Sequence, residues 1–226
     1  MSKNIQKISF FLFAIAIIVF SATFNSCKKD ACSGKTCLNN GTCVDGTCQC
    51  PAGVSGANCE TKDPCYNIKC LNGGTCANGQ CNCPTGYSGS DCSKQVTPTK
   101  IRITKIDLLK FPATTPTGAG WDPADAPDIF PKFLKGTTVL WNSPNYFANA
   151  QQGNIYTFTP ATPIEITAPT DEYIIQLWDY DTLDPDDLME GIRFVPYYDT
   201  NGFPAIRTLE CSTCTTSYKL YFQYVF

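Results

Sequence analysis

Residues 32–59 read CSGKTCLNNGTCVDGTCQCPAGVSGANC, and residues 65–92 read CYNIKCLNGGTCANGQCNCPTGYSGSDC. Both carry six cysteines in the spacing C-x4-C-x5-C-x4-C-x-C-x8-C, each shifted by 33 residues from its counterpart. A module of 28 residues is too short to bury a core, so crosslinks must limit its unfolded ensemble. Asp45-Gly46 and Asn78-Gly79 lie between the third and fourth cysteines of each set. Both dipeptides favour a type I′ turn, so each predicts a tight two-stranded hairpin. The chain has 15 cysteines and no histidine. Outside the two sets, Cys27 follows an apolar run, and Cys211 and Cys214 form a C-x-x-C pair. One modified cysteine plus seven disulfides accounts for the odd count. Disulfides at this density persist only in an oxidising compartment, so the chain is expected to be exported.

The spacings, the Cys37-Leu38-Asn39-Asn40-Gly41-Thr42-Cys43 and Cys70-Leu71-Asn72-Gly73-Gly74-Thr75-Cys76 segments, and the Cys50-Pro51-Ala52-Gly53 and Cys83-Pro84-Thr85-Gly86 endings resemble the epidermal growth factor (EGF) module. Six cysteines by themselves allow 15 pairings. The resemblance implies Cys32–Cys43, Cys37–Cys48 and Cys50–Cys59, then Cys65–Cys76, Cys70–Cys81 and Cys83–Cys92. Calcium-binding members of that family carry Glu or Gln just before the first cysteine and an aromatic residue in the hairpin. Both features are missing here, so the modules at 32–59 and 65–92 are read as calcium-free. They are either a protein-binding surface or a spacer, with even weight on each.

Lys3 and Lys7 precede Phe10–Phe20, an unbroken apolar run of eleven residues. That suits a signal peptide and is short for a membrane span, which needs about 20 residues. Phe24-Asn25-Ser26-Cys27 resembles the lipobox of bacterial lipoproteins, with Phe24 where leucine is usual. The resemblance implies a signal peptide over 1–26, acylation of Cys27 and a lipidated tether over 27–31. The protein would then be anchored to a bacterial membrane at the cell surface. An ordinary cleaved signal with Cys27 paired elsewhere fits the cysteine arithmetic less well.

Residues 93–99 read as a polar linker, and 100–226 are enough for one packed domain. Ile101 and Ile103 alternate with polar residues, as do Ile164 and Ile166. Tyr218, Leu220, Phe222, Tyr224 and Phe226 mark one face of a last strand. No helix-period stretch of useful length occurs. The pattern predicts a mostly β chain, with two small disulfide-rich modules and a C-terminal eight-stranded antiparallel β-sandwich. From Val96 onward, 15 acidic residues face 9 basic ones. Asp122, Asp125 and Asp128 form one acidic segment, and Asp179, Asp181, Asp184, Asp186 and Asp187 form another. If those segments meet, like charges raise each other's pKa or recruit a cation. Clustered aspartate oxygens suit Ca²⁺.

Asp122 and Asp128 stand six residues apart, and Trp178-Asp179-Tyr180-Asp181 is followed by Asp187. This looks like the C2 domain of protein kinase C and synaptotagmin type, over roughly 100–226. The resemblance implies Ca²⁺ ligands at Asp122, Asp128, Asp179, Asp181 and Asp187, with Ile129 in place of the family's proline. Pro112–Gly120 lengthens the first loop, and 148–158 lacks the basic strand many such domains offer to acidic lipids. Trp121 is a candidate membrane or ligand contact, although a packed loop aromatic is the favoured reading.

Cys211 and Cys214 are expected to form a structural disulfide rather than a zinc half-site or redox pair. Without histidine there is no Ser-His or Cys-His catalysis. There is no glycine-rich phosphate loop. A net charge of −3 and an acidic C-terminal half argue against nucleic acid as a partner. The expected function is calcium-dependent binding or adhesion to an extracellular protein, glycan or lipid, without enzymatic activity. The alternatives are a scaffold in which calcium only rigidifies loops, or a hydrolase using two clustered aspartates.

Overall fold

The computed structural model describes residues 30–122 and 125–226; Cys27 and the expected signal segment lie outside the described residues. The described residues form strands and turns with no helix, hence no helix long and apolar enough to cross a membrane. They divide into two compact units between Ile68 and Lys69.

In the first unit, β1 (Thr42–Val44) and β2 (Thr47–Gln49) pair as a hairpin. Asp45 and Gly46 sit at φ of 49° and 79°, the left-handed pair a type I′ turn requires. A smaller hairpin joins β3 (Val54–Ser55) to β4 (Thr61–Lys62), so the stretch after Cys59 is paired rather than free. Disulfides Cys32–Cys43, Cys37–Cys48 and Cys50–Cys59 follow the implied pattern. Gly53 has φ of 78°, and the ring of Tyr66 fills the space a Cβ there would need.

The second unit opens with the same design. β5 (Thr75–Ala77) pairs with β6 (Gln80–Asn82), and β7 (Tyr87–Ser88) with β8 (Lys94–Gln95). Cys70–Cys81 and Cys83–Cys92 pair as implied, and Cys65 and Cys76 are both disulfide-bonded. Gly86 repeats the role of Gly53: a Cβ there would lie 2.7 Å from the Phe203 ring and 2.8 Å from Phe226. Tyr87 meets Phe203 edge-on at 5.4 Å, which seats this module on the sandwich. Residues 93–99, expected as a linker, are bound at both ends. Val96 donates to the Gly86 carbonyl, and Thr99 donates to that of Val225.

The sandwich comprises β9 (Lys100–Lys110), β10 (Ile129–Lys135), β11 (Thr138–Asn142), β12 (Tyr156–Phe158), β13 (Ile164–Ile166), β14 (Tyr173–Asp179), β15 (Asp187–Phe194), β16 (Ile206–Leu209) and β17 (Ser217–Val225). One sheet runs β11-β10-β14-β15, and the other β12-β9-β17-β16 with β13 also on β9. All pairings are antiparallel. Among the described residues the sandwich therefore has nine strands, where eight were expected. β12 and β13 share one edge position along β9 and are split by Pro160 and Pro163, which cannot donate to a ladder.

Ile101, Ile103, Ile106 and Leu108 of β9 face Phe133, Ile175 and Leu177 across a core closed by Tyr218, Leu220 and Phe222. A bulge opposite the Tyr221/Phe222 step of β17 leaves Thr104 unpaired, so Ile103 and Ile106, three apart, both point inward. Cys211–Cys214 forms a disulfide just ahead of β17.

Candidate functional site

The ladder brings the two acidic segments together. Ile129 opens β10 opposite Asp179, the last residue of β14, and Asp179 in turn pairs with Asp187, the first residue of β15. The connection carrying Asp122, Asp125 and Asp128 thus ends beside the one carrying Asp181, Asp184 and Asp186. Asp128 presents its backbone N–H to Asp179 Oδ1 at 2.6 Å and accepts from Tyr180 N–H at 2.8 Å. Its own carboxylate accepts from Asn149 N–H at 2.8 Å.

Asp179 is 1% exposed, and its second carboxylate oxygen has no partner. Burial, with added repulsion from Asp122, Asp181 and Asp128, pushes its pKa up to about 7, against the lowering effect of the Asp128 N–H. Burial and then Asp125, Asp128 and Asp181 raise Asp122. Burial, then Asp187, Asp184, Asp186 and Asp128, raises Asp181. All five candidate ligands therefore belong to one electrostatic group. Among the described residues, however, no three of these side chains converge as a ready metal cage. The donors are hard carboxylate oxygens, and one of them is a buried orphan. That chemistry fits Ca²⁺, which would offset the repulsion that adds to burial at these three groups.

Trp121 does not stand out at a tip. It packs against the sandwich core, and its indole N–H donates to the Pro112 carbonyl at 3.0 Å. The most exposed large apolar residue at this end is Leu183, 96% exposed between Asp181 and Asp184. The sequence signal for it was a lone leucine inside an acidic turn. Asn149, at φ of 55°, carries no comparable signal, because its role depends on a long-range contact.

Residues 67–93 match the family model of the tenascin EGF domain. They form an EGF-like module. No curated protein matches the chain. Solved structures similar to part of the chain include C2 domains. One C2 domain shares 13% identity at TM-score 0.40, over 56% of this chain and 98% of its own. A C2 domain of plant extended synaptotagmin 1 shares 8% at 0.36, over 57% and 97%. A Drosophila structure containing C2, DSL and EGF1 domains shares 8% at 0.33, over 56% and 67%.

Proposed function

We propose that this is an exported, surface-displayed binding protein whose sandwich takes up Ca²⁺ at its acidic end and engages its ligand there. Asp122, Asp128, Asp179, Asp181 and Asp187 would hold the ion. The ion would supply positive charge and fix the two connections, so that Leu183 meets a lipid surface in a set orientation. Acylated Cys27 would tether the chain to a membrane, with the EGF-like modules between it and the sandwich in the sequence. The role is binding, not catalysis. The observation that carries this reading is the buried Asp179 carboxylate, with one unpartnered oxygen amid the charges of Asp122, Asp128 and Asp181.

Melting the exported protein in calcium and in chelator tests the metal reading. A rise of several degrees with calcium is expected, since saturation at 100-fold over Kd contributes about 2.7 kcal/mol. Identical curves would leave the acidic end a solvated rim and the protein a scaffold. The anchor is tested separately by the intact mass of detergent-extracted protein. Cleavage before Cys27 with a lipid increment is expected, and an unmodified Cys27 would remove the anchor.

A further inference from the structure

The outer face of the β11-β10-β14-β15 sheet holds a hollow of about 310 Å³ beside the acidic end. Phe130, Asn142, Asn145, Tyr146, Tyr180 and Asp186 line it. None of them is among the five candidate calcium ligands. We propose that this hollow binds a ring of a neutral sugar. The proposal adds a second ligand class to the binding role read above, at side chains separate from the metal ligands and from Leu183.

Three features select that ligand. First, Tyr146 and Tyr180 are stacked, with centroids 4.6 Å apart and planes at 17°, and Phe130 meets Tyr180 edge-on at 6.5 Å. Tyr146 is 45% exposed, so it is a rigid aromatic surface in reach of solvent. Tyrosine gives contact area at low entropic cost, and its ring suits the C–H face of a pyranose. Second, two amides and a carboxylate ring the hollow. Amides donate and accept, and a sugar hydroxyl needs partners of both kinds. Third, the charges disfavour ions. Lys132, the nearby cation, is held by Asp186 at 3.5 Å and lies 3.7 Å above Trp178 and 4.9 Å from Phe130. Its charge is thus committed and is poorly placed to pair with a phosphate. It also lies over Phe130, one of the aromatic rings of the hollow that a quaternary ammonium would use. The aspartates next door repel anions. The volume is at the low end for small-ligand sites, about 300–1,000 Å³, which suits one or two sugar rings rather than a folded partner.

The test is saturation-transfer NMR on the whole exported protein. The probes are the methyl glycosides of glucose, galactose, mannose and N-acetylglucosamine, with choline and methyl phosphate as ionic comparisons, each in calcium and in chelator. At least one glycoside should receive saturation on its ring protons, and neither ion should. Tyr146→Ala should weaken that binding about tenfold, whereas Tyr146→Phe, which keeps the stack, should retain it. Binding in chelator as well as calcium would support the sugar site while the metal reading stood or fell on the melting curves. A calcium-dependent melting shift with no glycoside bound would overturn the sugar site alone. Preference for choline or phosphate, or unchanged binding by Tyr146→Ala, would overturn it too.

Discussion

The two EGF-like modules and the sandwich are both antiparallel β-structure, yet different forces hold them. In the modules, Cys59 and Cys92, themselves crosslinked, are the buried apolar residues, and the strands are two or three residues long. Order there comes from covalent limits on the unfolded chain. In the sandwich, strands of up to 11 residues bury a continuous layer of isoleucine, leucine and aromatic side chains. There the one disulfide closes only the short Cys211–Cys214 turn. A fold built on burial can tolerate a buried carboxylate such as Asp179; one with no core has nowhere to put it.

Reduction should separate the two regions most sharply. Each module disulfide contributes about 2–4 kcal/mol. In thiol, hydrogen exchange should show β1, β2, β5 and β6 unprotected while β9, β10, β14 and β17 stay protected. Loss of both sets together would break the comparison.

The converse change is Ile175→Ala, which empties a fully buried core position. It should cost about 2–5 kcal/mol and lower the sandwich transition by about 2–4 °C per kcal/mol. Exchange rates in β1 and β2 should not move.

Smaller effects test the acidic end. Asp179 is raised to about 7 from an ordinary value of 3.8, so folding favours its protonated form. Its contribution is therefore best at pH below about 4 and is lost as pH rises through 7. In chelator, melting temperature should fall over that window, and Asp179→Asn should flatten the fall. With calcium the charged form is the ligand, so the fall should shrink in the wild-type protein, and Asp179→Asn should abolish most of the calcium shift. Asp184→Asn should matter less, and magnesium should substitute poorly. The smallest stability effect is expected at Leu183→Ser, within about 0.5 kcal/mol, because the side chain touches almost nothing. Its effect should appear as weaker calcium-dependent flotation with vesicles. Unchanged flotation would take Leu183 out of the contact.

Much of this was legible in the chain. Cysteine spacing is local and categorical, so the modules and their hairpin turns could be read directly. The alternation of Tyr218, Leu220 and Phe222 gave away the last strand. The Thr104 bulge could not be read, since it depends on which residue of β17 lies opposite. Proline at 160 and 163 was visible, but that two strands would share one edge of β9 was not. At the candidate site the residue types and spacings were visible. The burial of Asp179 was not, because it follows from pairing with Ile129, 50 positions away. For Trp121 the favoured reading, a packed loop aromatic, agrees with its packing against the core, while the Pro112 carbonyl as its partner was not readable.

Gly53 and Gly86 sit at the same place in the two repeats, and each receives an aromatic ring from the segment that follows. The rings differ in origin: Tyr66 lies just past Cys65, the first cysteine of the second repeat, while Phe203 and Phe226 come from the sandwich. A socket that accepts unrelated plugs makes the repeat an interchangeable part. Duplicating or deleting one 33-residue stretch of coding sequence would leave a usable fitting at the new joint. The number of modules ahead of the sandwich is thus open to change in a single genetic step, without a compensating change in the sandwich.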